Sequence, residues 1–182
     1  MQIKKLELKD TFEIVPRIIK DSRGFFSETY SNQAFVDNNL QTKWVQENQS
    51  LTAKAGTIRG LHFQVPPFAQ AKLVRVPHGK IFDVVVDLRG DSPTYGKWTS
   101  LEISAGLCNA IYISHGFAHG YCTLENNTVV QYKVDNTYSP NHEQGIIWND
   151  PDLNVDWPTI SPIISEKDKS LPLFRDISEA FE

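Results

Sequence analysis

Three side chains close together in the sequence have the types needed to remove a proton next to a carbonyl group. Arg59 and His62 lie within residues 58–64, and Lys72 lies within residues 70–76. A histidine titrates near neutral pH, with an unperturbed pKa of roughly 6.5, which makes His62 the leading candidate for a general base. A cation such as Lys72 or Arg59 stabilises the oxyanion or enolate that forms when the proton leaves. The alternatives are a core histidine bonded to a backbone carbonyl and two cations on a solvated strand face.

The two segments are positioned by strands with a break between them. Apolar and polar residues alternate in both, and Pro66 and Pro67 interrupt the pattern. We therefore expect His62 and Lys72 on neighbouring strands of one hairpin, with both side chains pointing to one side of the sheet. In a closed sheet that side is the barrel interior, where charged groups are costly unless a ligand or an opposite charge meets them. The pattern thus indicates a ligand site.

A phenol and a carboxylate later in the chain could complete an acid–base set. Tyr132 lies in a strand-like run, and its hydroxyl, with a pKa of roughly 10, can give a proton to a carbanion. Tyr138 is a rival for this role, and a packed aromatic ring is the alternative. Asp168 could orient His62 and favour its charged form. Its position three residues after Ser165 also fits a helix capping box, with Asp in place of the usual Glu or Gln.

Other kinds of chemistry have less support. His115 and His119 are four residues apart, but Gly116 and Gly120 disfavour the helix that would bring both to one face, and the same segment is expected to break two strands. No His-x-His pair includes His62, so we expect no catalytic metal. The sequence has no dinucleotide fingerprint, no P-loop and no Gly-x-Ser-x-Gly elbow, and we expect no cofactor.

The composition predicts one soluble globular domain spanning residues 1–182. Hydrophobic residues make up 40% and charged residues 22%, which is ordinary for such a domain. The formal net charge of -4 argues against a nucleic-acid surface. No apolar run approaches membrane-spanning length and no apolar signal core begins the chain, so we expect a cytoplasmic protein without membrane contact. Cys108 and Cys122 are expected to be free thiols.

Many short strands with Gly and Pro turns predict an all-β sandwich or barrel with few short helices. The run 81–88 is the strongest strand, and Asp83 and Asp87 share one of its faces. In a more polar strand, Gln46 and Asn48 also share a face. Further strands are expected in five segments: residues 3–15, 25–30, 98–103, 110–113 and 129–134.

Two serines are expected to begin short helices. Ser31 can cap a helix that reaches Asn39, and Ser165 can cap a small helix near the end of the chain. In the first helix, three apolar side chains are expected to face inward: Phe35, Val36 and Leu40.

Nine short motifs follow one another through nearly the whole chain. They are DSRGFFSE (21–28), QENQS (46–50), RGLHFQ (59–64), QAKLV (70–74), DVVVDLR (83–89), GFAHG (116–120), YK (132–133), DP (150–151) and SEKD (165–168). The ordered set resembles the nucleotide-sugar 3,5-epimerases of the cupin superfamily, the dTDP-4-dehydrorhamnose 3,5-epimerase family.

The resemblance implies a jelly-roll (cupin) barrel and a homodimer in which N-terminal residues of one subunit complete the site of the other. It implies His62 as the base, assisted by Asp168, and Tyr132 as the acid on the opposite face of the sugar. Lys72 matches the family lysine near the 4-keto oxygen. Nine residues match positions used for the nucleotide, diphosphate or sugar: Arg23, Phe26, Glu28, Gln46, Asn48, Arg59, His119, Glu143 and Lys167.

The implied chemistry fits the residues. A 4-keto group acidifies the protons at C3 and C5, so His62 could remove one, Lys72 could stabilise the enolate, and Tyr132 could reprotonate from the other face without a cofactor. Two departures from the family leave the substrate open, namely Ser114-His115 where a proline is usual and Glu47 between the two binding residues of its strand.

Three alternatives follow. One is epimerisation at C3, C5 or both of a GDP-linked 4-keto-6-deoxy-heptose. The others are a metal-dependent cupin enzyme and a non-catalytic nucleotide-sugar-binding module.

Overall fold

Short antiparallel strands make up most of the computed structural model, which describes residues 1–177 and 181. Two short helices, α1 (Asn32–Asp37) and α2 (Glu166–Lys169), and a 3₁₀ turn (Phe174–Asp176) complete the regular structure. The strands in chain order are β1 (Gln2–Lys5), β2 (Thr11–Val15), β3 (Ile18–Asp21), β4 (Gly24–Ser27), β5 (Gln46–Thr52), β6 (Ile58–Gln64), β7 (Lys72–His78), β8 (Lys80–Asp87), β9 (Trp98–Ser104), β10 (Ala110–Ile113), β11 (Phe117–Thr123), β12 (Thr128–Val134) and β13 (Glu143–Gly145).

Two sheets form the body of the fold. One has six strands in the order β1-β2-β10-β7-β12-β5, and the other has five in the order β13-β6-β11-β8-β9. Strands β3 and β4 form a separate two-stranded hairpin. The sheets mix strands that are far apart in sequence, as expected of a jelly roll. The prediction of an all-β fold with few short helices is confirmed.

A hydrophobic core lies between the two sheets. Val74 and Val130 of the six-stranded sheet belong to the same buried cluster as Val85 and Phe117 of the five-stranded sheet. Alternate residues of β8 instead join a cluster on the outer face of that sheet, which includes Trp157. Strand β8 is therefore apolar along most of its length because both of its faces are buried.

The prediction that His62 and Lys72 lie on one hairpin is wrong. Strand β6 pairs with β11 and β13, whereas β7 pairs with β10 and β12, so the two residues belong to different sheets. The proline-containing connection crosses from one sheet to the other instead of making a tight turn. Residue alternation determined which face each side chain occupies, but not which strands become neighbours.

The expected break at residues 115–120 is also wrong in part. Strand β11 begins at Phe117 and runs through Gly120 in the middle of the five-stranded sheet. The turn comes before it, at Gly116, which has a positive φ of 91°. Gly120 is needed for a different reason, since a Cβ atom there would lie 2.8 Å from the backbone oxygen of Arg59.

The two predicted helix caps are confirmed. The Ser31 hydroxyl accepts the N–H of Ala34, and the Ser165 hydroxyl accepts that of Asp168. Phe35 is fully buried, but Val36 is 49% exposed because so short a helix buries only one face. Within residues 1–177 and 181, no helix is long and apolar enough to span a membrane.

Candidate active site

A cavity of about 720 Å³ opens between the inner faces of the two sheets. Its size is typical of a small-molecule site. The six-stranded sheet supplies one wall through alternate, inward-pointing residues of three strands. They are Gln46, Asn48 and Ser50 of β5, Lys72 of β7 and Tyr132 of β12. The facing wall and one side come from the five-stranded sheet and from α2 with the residue before it. They include Arg59, His62, Gln64, His119, Tyr121, Glu143, Ser165, Lys167 and Asp168.

A bulge in β6 brings two of its functional side chains to the same wall. Arg59 and His62 are three residues apart, which in a regular strand would point them to opposite faces. The pairing with β11 shifts between His119 and Tyr121, so β6 contains one extra residue there. Gly60 makes this possible, since its φ is 123° and a Cβ atom would lie 2.5 Å from the Cα of Gly120. The two glycines thus let the strands approach closely beside the site.

His62 is bonded to the carboxylate that the sequence suggested. The distance from His62 Nε2 to Asp168 Oδ1 is 2.8 Å, and the backbone N–H of Gly60 donates to Asp168 Oδ2 at 3.3 Å. Burial would raise the pKa of Asp168, but the bonds from His62 and Gly60 outweigh it and lower that pKa. Asp168 therefore stays ionised. The histidine side chain keeps 31% of its surface exposed and borders the cavity.

Tyr132 and Lys72 reach the cavity from the opposite wall. Lys72 Nζ lies 5.8 Å from the centre of the Tyr132 ring and donates to the side chain of Gln70 at 3.3 Å. Burial lowers the pKa of Lys72 to about 8, although the charges of Glu143 and Asp135 oppose the change. Burial raises the pKa of Tyr132, so its hydroxyl keeps its proton at neutral pH. Within residues 1–177 and 181, that hydroxyl makes no hydrogen bond with protein.

A second histidine–carboxylate pair lies beside the first. His119 is directly opposite His62 in the pairing of β11 with β6, and its Nε2 lies 2.8 Å from Asp83 Oδ2. Asp83 is fully buried, and its Oδ1 has no hydrogen-bond partner in the described part of the chain. Burial raises the pKa of Asp83 against the opposing effect of His119. A buried unpaired oxygen costs about 1–3 kcal/mol, so Asp83 is kept at this position at a cost, and its other oxygen holds the His119 ring beside the cavity.

Tyr138, the rival phenol, is held at the edge of the cavity. It is 52% exposed, and its hydroxyl donates to Glu143 Oε2 at 2.8 Å. Lys167 Nζ donates to the same oxygen at 2.6 Å. Burial would raise the pKa of Glu143, but these two bonds lower it, so Glu143 is charged. Tyr138 is already committed to a carboxylate, unlike Tyr132.

Three residues implied for substrate binding do not line this cavity. Arg23, Phe26 and Glu28 belong to, or directly follow, the exposed hairpin of β3 and β4. Arg23 is paired within that hairpin to Asp21 at 2.7 Å, and Phe26 is 68% exposed.

The other implied binding residues all line the cavity. The side chain of Gln46 donates to Asn48 at 2.8 Å, so the two form one polar surface as their spacing predicted. Arg59 donates to the Thr52 hydroxyl at 3.1 Å and, in residues 1–177 and 181, forms no salt bridge with a carboxylate. Its remaining N–H groups can therefore bind an anion.

Ser50, Gln64 and Tyr121 are among the lining residues that sequence reasoning missed. Tyr121 and Ser50 join their hydroxyls at 3.0 Å across the cavity, and Gln64 is buried with its amide bonded to two backbone carbonyls. Gln64 could have been found, because it is two residues beyond His62 in the same strand. Tyr121 could have been found in the same way, because it is two residues beyond His119 in β11, which pairs regularly with β8.

The two departures from the family lie outside the lining. Glu47 points to the outer face of its sheet, where Lys133 binds it at 2.9 Å. His115 is bonded to Asp135 at 2.9 Å. In the described residues, no group of three or more His, Cys, Asp and Glu side chains is arranged to hold a metal ion.

A jelly roll of the cupin type, with an imidazole and a phenol on facing walls of its cavity, is found here in a chain of the epimerase class of isomerases. The family model for dTDP-4-dehydrorhamnose 3,5-epimerase matches residues 5–176. The chain belongs to the dTDP-4-dehydrorhamnose 3,5-epimerase family.

Similar proteins extend over nearly the whole chain. The dTDP-4-dehydrorhamnose 3,5-epimerase of Sinorhizobium fredii is 44% identical over 183 residues, which cover 100% of this chain and 94% of that protein. The crystal structure of the Bacillus anthracis dTDP-4-dehydrorhamnose 3,5-epimerase with TDP and PPi bound superposes with a TM-score of 0.92 at 46% identity, covering 94% of this chain and 98% of that one. The dTDP-6-deoxy-D-glucose-3,5-epimerase of Legionella pneumophila, in complex with dTDP-4-keto-L-rhamnose, has a TM-score of 0.92 at 35% identity and covers 97% and 94%.

Proposed function

We propose that the protein inverts C3 and C5 of a dTDP-linked 4-keto-6-deoxy sugar by removing and returning protons next to the ketone. The observation that carries the proposal is that His62 and Tyr132 enter one cavity from two facing sheets. Inversion needs two groups on opposite faces of the sugar ring, because one base alone would return the proton to the face it came from. Solved relatives with TDP, or with dTDP-4-keto-L-rhamnose, support the nucleotide and the sugar.

In this mechanism His62 is the base. Its bond to Asp168 orients the imidazole and stabilises the imidazolium that forms when a proton leaves C3 or C5. Negative charge then develops on the 4-keto oxygen. Lys72 supplies a cation there, and its buried position strengthens the attraction because little water screens it.

Tyr132 completes the reaction as the acid. Its raised pKa keeps it protonated, and an enolate carbon is basic enough to take that proton. No redox or group-transfer step is needed, since the substrate already contains the ketone that acidifies both carbons. We therefore propose a reaction without a cofactor.

Basic side chains around the cavity support a diphosphate substrate. Among the residues that the structure describes, Arg59 donates only through its Nε, Lys167 lies at the edge on α2, and His119 faces the same space. Planar guanidinium and imidazole groups bind phosphate oxygens well. We assign the nucleotide end to the polar surface of Gln46 and Asn48.

We further propose that the protein acts as a homodimer in which the β3–β4 hairpin reaches the partner's cavity. The hairpin exposes three large apolar side chains, Ile19, Phe25 and Phe26, at 52%, 60% and 68%. An apolar patch of this kind marks an interaction site. Arg23 and Glu28 lie beside it and would meet the nucleotide there.

The proposed unit is the single domain of residues 1–182, because the cavity draws on strands from β5 to β13 and on α2. Both cysteines are free thiols, which fits the cytoplasmic location we propose.

Solvent exchange tests the chemistry. The enzyme is incubated in heavy water with a dTDP-linked 4-keto-6-deoxy-glucose, and deuterium at each carbon is followed by NMR. We expect label at C3 and C5 together with inversion at both. A parallel reaction with a GDP-linked 4-keto-6-deoxy-heptose tests the alternative substrate. Absence of label from both carbons with both nucleotides refutes the proposal.

The role of Tyr132 has its own control. Tyr132→Phe should abolish inversion while His62 still exchanges protons with retention. Tyr138→Phe should leave both inversion and exchange intact. Loss of inversion in Tyr138→Phe alone would transfer the acid role to that residue. If Tyr132→Phe had no effect on inversion or exchange, Tyr132 would not be the acid.

Mixed dimers test the shared site. His62→Asn and Phe26→Ala chains are each purified and then combined under conditions that allow subunit exchange. In a mixed dimer, one site combines an intact hairpin with an intact His62, so activity should return on mixing. If the hairpin served its own subunit, the mixture would stay as inactive as its parts.

A further inference from the structure

A carboxylate behind the cavity wall joins three segments of the chain. Asp135 directly follows β12, and its side chain is only 5% exposed. Its Oδ1 accepts the backbone N–H of Ala71 at 2.7 Å. Its Oδ2 accepts the side-chain amide of Gln41 at 2.9 Å and lies 2.9 Å from His115 Nε2. Asp135 does not itself line the cavity, so any role in the reaction must act through another residue.

The bond to Ala71 fixes the residue directly before Lys72. Strands β7 and β12 pair Lys72 with Val134, and the Asp135–Ala71 bond extends this pairing by one residue at the point where β7 begins. Without it, the first residue of an internal strand would be free to fray. Asp135 therefore determines where the Lys72 backbone enters the cavity wall.

Gln41 holds the carboxylate from the other side. Its Oε1 accepts the backbone N–H groups of Thr42 and Lys43, both at 2.9 Å, so its amide nitrogen must face Asp135. This orientation explains why the buried carboxylate is fully bonded. Burial would raise the pKa of Asp135, but the bonds from His115, Ala71 and Gln41 lower it, and Asp135 is ionised.

The negative charge of Asp135 acts on Lys72. Two carboxylates, Glu143 and Asp135, oppose the effect of burial on the Lys72 ammonium. Glu143 lines the cavity and is shared with Lys167, so a bound substrate would change its surroundings. Asp135 lies outside the cavity, and its charge stays the same whether or not substrate is bound.

Two further titratable groups face Asp135. His115 is half-exposed, and its bond to Asp135 raises its pKa. Tyr112, on β10 at the other side of β7, has a pKa raised mainly by burial and also by Asp135. Tyr112 is neutral over the useful pH range. His115 is therefore the neighbour of Asp135 whose charge can change near neutral pH.

We propose that Asp135 is a positioning residue for Lys72. It holds Lys72 at the start of β7 and keeps its ammonium group protonated. The charge on His115 sets how strongly the Asp135 carboxylate attracts that ammonium group. The inference rests on the proposed function, in which Lys72 stabilises the enolate. No bonded group needs to move, since His115 gains or loses its proton within a fixed hydrogen bond.

The pKa of Lys72 can be measured without turnover. The intact protein is treated with a small amine-acylating reagent across a range of pH, and modification of Lys72 is quantified by peptide mass spectrometry. Asp135→Asn should lower the pKa of Lys72 by about one unit, as expected for loss of a nearby opposite charge. The matched control is Asp152→Asn, which removes the same charge from a half-exposed carboxylate bonded to Arg175. A shift no larger in Asp135→Asn than in the control overturns the proposal.

Variants of the half-exposed His115 separate charge from structure without disturbing a buried residue. His115→Arg places a permanent cation beside Asp135 and should lower the pKa of Lys72, whereas His115→Gln keeps a donor without charge and should not lower it. Equal effects of the two variants overturn the role of charge.

Activity is measured on the same set of variants. If the pKa of Lys72 follows this series but no variant or wild-type protein exchanges substrate protons, the proposed function fails and the link from Asp135 to Lys72 stands. If the pKa of Lys72 does not change across the series while substrate proton exchange is normal, the link from Asp135 to Lys72 fails and the proposed function stands.

Discussion

Two buried carboxylates in this molecule have similar surroundings and different consequences. Asp168 and Asp87 are each almost completely buried, each is ionised, and each is bonded to a basic side chain. Asp168 binds the cavity-lining His62. Asp87, the last residue of β8, instead binds Arg89. A search for buried charged pairs alone would select both.

The difference lies in whether the basic partner is fully occupied by protein contacts or keeps part of its side chain available to a ligand. Asp87 accepts bonds from Arg89, from Ser92 at 2.6 Å and from Thr94 at 2.6 Å. Arg89 then binds Asp10 at 2.8 Å and packs over the Phe117 ring at 4.4 Å, so the network is closed on itself. His62, by contrast, borders an open cavity and is exposed there. A buried carboxylate therefore marks a functional site only when its partner keeps a free edge.

Loss of the His62 imidazole should have the largest effect on activity. His62→Asn removes the base but keeps a polar side chain of similar size, so exchange at C3 and C5 should fall by about 10²- to 10⁴-fold. Binding of dTDP, measured by calorimetry, should change little. An unfolded variant would instead assign His62 to the core, the alternative that its sequence left open.

Asp168→Asn should have the next largest effect on activity. It removes the charge that favours the imidazolium, and a nearby opposite charge is worth about 1–3 pKa units, so exchange should fall about ten- to a thousandfold. The acidic limb of the pH profile should move to lower pH, because the imidazolium loses the carboxylate that stabilises it. The Ser165 cap uses the Asp168 backbone and should survive. Unchanged exchange would reduce Asp168 to a helix residue.

Asp87→Asn should affect stability and leave chemistry intact. The bonds to Asp87 lower its pKa to about 2, so its stabilising effect is complete above the unfolded value of 3.8 and is lost as the pH falls through about 2. At neutral pH the substitution should lower the free energy of unfolding by about 2 kcal/mol, measured by urea denaturation. The loss should shrink in acid. A fall in exchange per folded molecule would show that the two networks are not as separate as their geometry implies.

Sequence patterns identified the residues of the cavity better than they predicted which strands pair with each other. Alternation placed His62 and Lys72 on inward faces, because side-chain direction in a strand depends only on local geometry. The choice of strand partners is non-local, and the expected hairpin failed for that reason. Gly120 was misread as a break because its close approach to Gly60 joins residues far apart in the sequence.

The hairpin residues show another limit. Arg23, Phe26 and Glu28 match a binding role in sequence, yet they lie outside the cavity of their own chain. A single sequence contains no information on which copy of the chain a side chain serves. The resemblance supplied that expectation, and the exposed apolar hairpin gives it a physical reason.

The smallest expected effect separates the two phenols at the open end. Tyr138→Phe removes the hydroxyl bonded to Glu143, but Lys167 keeps its bond to the same oxygen. Exchange and inversion should therefore change by less than about fivefold, since one exposed hydrogen bond contributes only about 0.5–1 kcal/mol. The pKa of Glu143 should rise slightly, because one of the two bonds that lower it is lost. Steady-state kinetics of this variant beside Tyr132→Phe decide the matter. If both variants lost inversion equally, the acid would be a coupled pair of phenols. The hydrogen bond from Tyr138 to Glu143 would then not distinguish the roles of the two hydroxyls.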